Sequence, residues 1–326
     1  MNSYKASIIA TLFILLASLV AYHWIFPENG DYKYRPRDGR GLLEWTKPFQ
    51  PCLVQTTLEG DISGNTPILG VDGKGRDLAY RVSVALWTNL WLSLSGALVF
   101  VLLATISGVL IGYEQSSVTK PLYQRIKTSE SIIKIFQELR IIQNAARWIV
   151  QALHAIPLLL LLLIVVVVVN NLGVKITLFG NDLVRMFVVM LAVGVLSIPK
   201  LALLIRDRIS VLEDEEFINA ARASGLSDRK IIFTHILWYE CSPIIAGQVI
   251  YVVVQTIMLE AVISFLGYGF GMHHTSLGGL IKQFQGDFPG TFSGGHPLAL
   301  LPLIVLLLIA IAGNGLTKIF MDFRHE

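Results

Sequence analysis

The chain has 326 residues, of which 54% are hydrophobic and 15% charged, with a formal net charge of +3. A soluble domain of this size cannot hide so much apolar surface, and the slight positive charge excludes a nucleic-acid binder built on a basic face. Two cysteines, Cys52 and Cys241, lie far apart and give neither a disulfide framework nor a metal-ligand spacing.

Six apolar runs are long enough to cross a bilayer, which takes roughly 20 helical residues. They fall at about Ser7–Phe26, Ala85–Tyr113, Trp148–Asn170, Val184–Ile205, Ser242–Leu266 and Pro297–Phe320. The predicted class is therefore an all-α polytopic membrane protein with six transmembrane helices, residues 1–26 forming an uncleaved anchor despite a weak cleavage signal after Ala21. Residues 27–84 are expected to form an extracytoplasmic loop, 85–320 the membrane domain and 321–326 a cytoplasmic tail. Lys120, Arg125, Lys127, Lys134, Arg140 and Arg147, and then Arg206, Arg208, Arg222, Arg229 and Lys230, put the 114–147 and 206–235 segments and both termini on the cytoplasmic side.

In the first outer loop, Asp61-Ile62-Ser63-Gly64-Asn65-Thr66-Pro67 reads as a cluster of turn residues. Beyond it, Gly73 and Gly75 permit tight turns and Asp77 is placed to cap the helix of the second span. No G-x-x-x-x-G-K-[ST] pattern occurs, so this chain does not cradle ATP in that way. Within the second span Asn89, Ser93, Thr105 and Ser107 form either a polar wall or ordinary small-residue packing. The 114–146 segment carries Ile126, Ile132, Ile133, Phe136, Leu139 and Ile142 at near-helical spacing and reads as a cytoplasmic amphipathic helix or a solvated linker. His154 and Pro157 suggest a local kink.

The 206–235 loop has its own helical logic. Leu212-Glu213-Asp214-Glu215-Glu216 sets carboxylates where a helix N-terminus favours them. Phe217, Ala220, Ala221 and Ser224 then share one face, and Gly225 suits a left-handed cap. A slim face of this kind fits a partner's groove, or else lies at the membrane surface with no partner. Glu260, among Met258, Leu259, Ala261 and Val262, is an expensive place for an ionisable group, and lines a path, pairs with a neighbour or sits near the interface. His273-His274 lacks further ligands for a metal.

Glu216-x3-Ala220-Ala221-x3-Gly225 resembles the "EAA" coupling motif of binding-protein-dependent ABC importer permeases. Gly70-x-Asp72-x-x-Gly75-Arg76-Asp77 with Arg81 is similar to the signature that precedes the second span in the second permease subunit of the oligopeptide/dipeptide/nickel group. Ala155-Ile156-Pro157, Glu260-Ala261-x-x-Ser264-Phe265-Leu266-Gly267-x-Gly269 and Ser276-Leu277-Gly278 resemble later stretches of that group. The sequence departs from the group where Trp238 replaces the usual proline after Leu237, with Pro243 later, and where the long 116–146 segment replaces a short loop.

The resemblance implies a type I ABC importer permease fold in a bacterial inner membrane, carrying peptides or similar small solutes. A 213–228 helix would couple it to a cytoplasmic ATPase, with Glu216, Ala220, Ala221 and Gly225 as the coupling residues. It implies a second homologous permease subunit, two ABC ATPase subunits and an extracytoplasmic solute-binding protein as partners, besides membrane lipid. ATP and Mg would be bound by the ATPases; no cofactor and no catalytic residue are expected in this chain. Glu260 and Asn89 are the expected path-lining residues. The competing expectation is a secondary transporter driven by an ion gradient, but no inverted pair of broken helices is seen. An intramembrane enzyme would need a nucleophile–base pair or metal ligands within the spans, and an exporter or scaffold could use the same coupling helix.

Overall fold

The computed structural model describes residues 3–25, 33–36, 52–55, 61–63, 68–72, 75–115, 144–145, 148, 151–152, 155–171, 181–212, 215–226, 230–269, 275–288 and 297–322. The chain begins with α1 (Ser3–Ile25), followed by three short strands, β1 (Lys33–Pro36), β2 (Cys52–Gln55) and β3 (Asp61–Ser63). Then come α2 (Leu78–Gln115), α3 (Leu158–Asn171), α4 (Asn181–Leu212) and the short α5 (Glu216–Ala223). A π-helical stretch (Ile231–Cys241) runs into α6 (Ser242–Phe265), before α7 (Leu277–Phe284), a 3-10 turn (Pro297–Leu300) and α8 (Leu301–Asp322). Four stretches are long and apolar enough to cross a membrane: Leu78–Ile111, Phe187–Leu212, Ile231–Phe265 and Leu298–Met321. The shorter apolar helices Thr11–Tyr22 and Leu158–Val168 fall on the other two expected spans.

Two local expectations change. Asp61-Ile62-Ser63, read as part of a turn cluster, is a strand, with Val54 facing both Tyr34 and Ile62 in an antiparallel sheet of order β1-β2-β3. The all-helical expectation thus holds for the spans, while the outer segment carries a small sheet. Helix α2 starts at Leu78, ahead of the apolar run that begins at Ala85, with Asp77 supplying the cap expected of it. The helix expected at 213–228 is confined to Glu216–Ala223. The amphipathic stripe of 126–142, His154 and His273-His274 lie outside the described residues. Pro157 opens α3, its carbonyl accepting from Leu160 N (3.0 Å) and Leu161 N (3.3 Å), as suits a residue that cannot itself donate.

The displaced proline at 243 has a structural counterpart. The backbone passes from the π-helical stretch through Ser242 (φ −57°, ψ −39°) into α6 without leaving helical geometry. In a regular α-helix the Pro243 ring would press on the carbonyl four residues earlier, that of Tyr239. A wider π turn ending just before the proline relieves that contact, so the span continues where a break was expected. Ile236 and Leu237 are buried, whereas Trp238 is 72% exposed.

Two compact units share the long helices. One gathers Met1–Ser93, Val169–Phe187 and Val254–Gly315; the other gathers Leu94–Val168, Val188–Val253 and Leu316–Glu326. In the first, α1 meets the start of α2 through an edge-to-face pair of Trp24 and Trp87, 5.9 Å between ring centres, and the Ser83 hydroxyl donates to the Val20 carbonyl (3.3 Å). In the second, α2 and α4 touch backbone to backbone. A Cβ on Gly96 would lie 2.5 Å from the Met190 carbonyl oxygen, one on Gly108 2.8 Å from the Ile205 Cβ, and one on Gly194 would collide with the Gly96 carbonyl. Small residues at such crossings are how membrane helices gain packing without a hydrophobic drive. Around them lies a core of Phe100, Ala104, Leu201, Ile205, Ile209, Ile231, Ile236 and Val252.

Gly194→Leu is expected to lower the thermal stability of the detergent-solubilised protein by about 1–3 kcal/mol through overpacking. Gly286→Leu, where no atom lies within 4 Å of the added Cβ, should leave the melting temperature unchanged.

Candidate functional site

The loop before α2 is folded around one carboxylate. Asp72 N donates to the Arg76 carbonyl (2.9 Å), Gly75 N to the Asp72 carbonyl (2.9 Å) and Leu78 N to the Gly70 carbonyl (3.1 Å), closing a tight turn in which Gly70 and Gly75 have φ of 75° and 70°. Asp77 then caps α2, its side chain accepting from Tyr80 N at 3.1 Å and from the Tyr22 hydroxyl of α1 at 3.3 Å. The fully buried Asp72 takes Arg76 Nε (3.0 Å), Arg76 Nη2 (2.7 Å) and Arg81 Nη1 (2.6 Å). Arg81 continues to α7, donating to Gln283 Oε1 (2.9 Å) with its guanidinium 5.9 Å from the Phe284 ring centre. All five expected signature residues therefore stand in one loop that fixes the entry to α2 and the end of α7.

Burial by itself would raise the Asp72 pKa. The Arg76 hydrogen bonds and the charges of Arg76 and Arg81 outweigh it and hold the carboxyl below its ordinary value. A carboxyl depressed in the folded state stabilises above its unfolded pKa of about 3.9, and that contribution fades as pH falls through the lower folded value.

The other end of α7 is held by Glu260. This residue is 1% exposed, and its carboxylate accepts from Asn89 Nδ2 of α2 at 2.9 Å and from the Ser264 hydroxyl one turn on. The Ser276 hydroxyl and the Gly278 N–H bond to the same carboxylate. Ser276 is also the N-cap of α7, its oxygen accepting from Gly279 N at 3.0 Å. A negative side chain thus sits at a helix N-terminus, where free amides and the helix dipole favour it. Gly278 allows this approach, since a Cβ there would lie 2.5 Å from the Ala261 Cα. Ser276-Leu277-Gly278, in the connection between the last two spans, starts a helix whose Leu277, Leu280, Ile281 and Phe284 are buried. The two expected path residues, Glu260 and Asn89, are brought together and are both buried within this chain; Asn89 Oδ1 has no partner among the described residues. Ser93 is buried, donating to the Leu90 carbonyl (2.9 Å), and Thr105 and Ser107 are half-buried.

The third element is α5. Ile218 (1% exposed) roots it in the core of the second unit, with Ala221 and Leu226 packed on the same cluster. Glu216, Ala220, Ala223 and Ser224 are exposed, and Phe217 is 42% exposed, so Phe217, Ala220 and Ser224 of the face expected from the spacing are turned outward, whereas Ala221 packs inward on the core. Gly225 has φ +80°, and Leu226 N reaches back to the Ala221 carbonyl (3.2 Å), the closing bond of a Schellman cap. No atom lies within 4 Å of a Cβ added at Gly225, so the demand for glycine is conformational, not steric.

Among the described residues no group of three or more His, Cys, Asp or Glu could hold a metal ion, and Cys241 is buried and forms no disulfide. The link from Arg81 to Gln283 and the role of Glu260 at the start of α7 were not readable from spacing, because they join residues 202 and about twenty positions apart across a turn of unknown path.

Asp72→Asn is expected to cost roughly 3 kcal/mol at neutral pH by leaving two arginines without their buried partner. In thermal melts the gap to the wild type should narrow as pH drops below about 4. For Glu260→Ala, hydrogen exchange at the first amides of α7 should rise at least about tenfold, in line with the loss of a charge-assisted bond. Glu260→Gln, which keeps an acceptor, should exchange more slowly than the alanine variant.

Residues 132–323 match the family model of the binding-protein-dependent transport system inner membrane component. A permease protein of Brucella suis named for a peptide transport system is 26% identical over 242 residues, 74% of this chain and 69% of its own length. The oligopeptide transport system permease protein OppC of Haemophilus influenzae is 26% identical over 282 residues, 85% of this chain and 71% of its own. A solved chain of an inward-facing methionine ABC transporter shares 19% identity over 73% of this chain and 96% of its own, with a TM-score of 0.34, too low to bear on the fold. The family match covers more than half of the chain, so the ion-gradient alternative falls, and the protein belongs to the inner membrane components of binding-protein-dependent transport systems.

Proposed function

We propose that this chain is a non-catalytic permease half of an ATP-driven importer for peptides or similar small solutes, coupled to a cytoplasmic ABC ATPase through α5. One observation carries the coupling: α5 is rooted by Ile218 and Leu226 in the packed core, while Glu216, Phe217, Ala220 and Ser224 are left facing outward. A rigidly held helix with a slim exposed face transmits a push from a partner to the spans, whereas a loosely tethered one would absorb it. Glu216 supplies a charged contact, Ala220 allows close approach to the partner, Ala221 allows close approach of α5 to its own core, and Gly225 sets the turn back to the fifth span.

In this reading the chain pairs with a second homologous permease, two ATPases bind from the cytoplasm, and an extracytoplasmic solute-binding protein delivers the cargo. ATP and Mg belong to the ATPases. ATP binding closes the ATPase pair and hydrolysis lets it reopen, and α5 of each permease passes that movement to the membrane helices. The Lys and Arg of the 206–235 segment favour a cytoplasmic position for α5 and for both termini, in a bacterial inner membrane. The peptide assignment draws on the Brucella and Haemophilus relatives, whose names specify peptide and oligopeptide transport.

Glu216→Arg and Gly225→Pro should each reduce co-purification of ATPase subunits and ATP-dependent uptake in proteoliposomes at least about tenfold, the loss expected for a reversed charge contact or a distorted cap. Membrane insertion should be normal in both. Retained ATPase association and uptake in both variants would rule out α5 as the coupling element.

A further inference from the structure

Two charged side chains in the spans of the first unit have partners: Glu260 is held by Asn89 and Ser264, and Arg81 by Asp72 and Gln283. Lys200 differs. It lies within the apolar stretch Phe187–Leu212 of α4, six residues, or about 9 Å of helix, before the charged end formed by Arg206, Asp207 and Arg208. Its side chain is exposed, and its ammonium lies over an aromatic ring: Nζ stands 3.5 Å from the centre of Tyr251 on α6. The carboxylate two turns further along α4, that of Asp207, is already taken by Arg206 at 2.5 Å.

Helical side chains lean toward the N-terminus of their own helix, which for Lys200 is away from the charged end of α4. The ring of Tyr251, in the middle of α6, holds the charge there. A cation over a ring face is stabilised by ~2 kcal/mol when desolvated, too little to offset exposure to hydrocarbon. An ammonium has three donors and the ring covers one side of it. Three residues before Tyr251, on the same side of α6, the buried Gln248 Oε1 has no hydrogen-bond partner among the described residues. Among the described residues the second unit thus presents a positioned cation with no paired carboxylate, in the apolar part of the spans.

We infer that Lys200, seated on Tyr251, is a station on the solute path that receives a carboxylate of the transported solute. The inference rests on the permease reading above. The charge is neutralised only while solute is present, which gives the path a preference for acidic or zwitterionic solutes without a site deep enough to trap them. Tyr251 is the positioning residue and Lys200 the binding one.

The test uses the assembled transporter with its binding protein and ATPases in proteoliposomes, and compares uptake of trialanine with uptake of its C-terminal amide. Lys200→Met should lower the acid-to-amide uptake ratio by about tenfold, the worth of one charge-assisted hydrogen bond, and Lys200→Arg should preserve it. Equal loss for both peptides would overturn the inference. A second measurement reads the site directly, as the rate at which acetic anhydride labels Lys200 in the wild-type complex, followed by mass spectrometry. Trialanine should slow labelling and its amide should not. Slow labelling without peptide would overturn the inference, assigning Lys200 to lipid phosphate if it needs phosphatidylglycerol and to a partner carboxylate if it needs the second permease. Should neither peptide be carried, the peptide reading fails by itself, and acetate against acetamide as labelling probes then decides the station.

Discussion

A charge inside an apolar helix bundle has to be surrounded by groups that hydrogen-bond to it, and this chain is organised around meeting that demand. Glu260 satisfies it with donors from three places: Asn89 on α2, Ser264 on its own helix, and Ser276 with Gly278 at the start of α7. Asp72 satisfies it with two arginines, one of which reaches on to Gln283. Helix α7 is therefore bolted at both ends by buried ionic groups, with an apolar face of Leu277, Leu280, Ile281 and Phe284 between them. Moving α7 away from the spans would uncover two carboxylates together, so it stays seated or moves as part of its unit.

The second unit is held in a different way. Its helices approach through Gly96, Gly108 and Gly194, where carbonyl oxygens of one helix occupy the space a side chain would need. Dispersion contacts of this kind are short-ranged and tolerate little change in separation. Helix α5 is rooted in that unit by Ile218 and Leu226, so displacement of α5 is passed to packed side chains instead of being lost in a loop. The π-helical stretch that follows ends against Pro243, a place where the helix is already wider than the standard form and where a change of register is cheapest.

Much of the candidate site could be read in the sequence because it is local. Asp77 as a cap, Gly225 as a left-handed terminus, and the outward face of Phe217, Ala220 and Ser224 each depend on spacings of three to five residues, and the backbone enforces those distances whatever the rest of the chain does. Other local readings failed where tertiary pairing competes. Asp61-Ile62-Ser63 has the composition of a turn but is a strand, because β2 offers it a row of hydrogen-bond partners. The helix that Ser276 caps was not legible, because Glu260, which stands by its free amides, is brought there by a different helix.

The sequence by itself determined the membrane class, the positions of the spans and the residues of the exposed helix, since apolar length and helical period are properties of the chain alone. Only the tertiary structure decided what the buried charges do. Whether Glu260 faces a path or closes on Asn89, and whether Lys200 meets a carboxylate or a ring, depends on which side chains are brought from distant helices. That is fixed by packing, because a charge is satisfied by its neighbours in space and not by its neighbours along the chain.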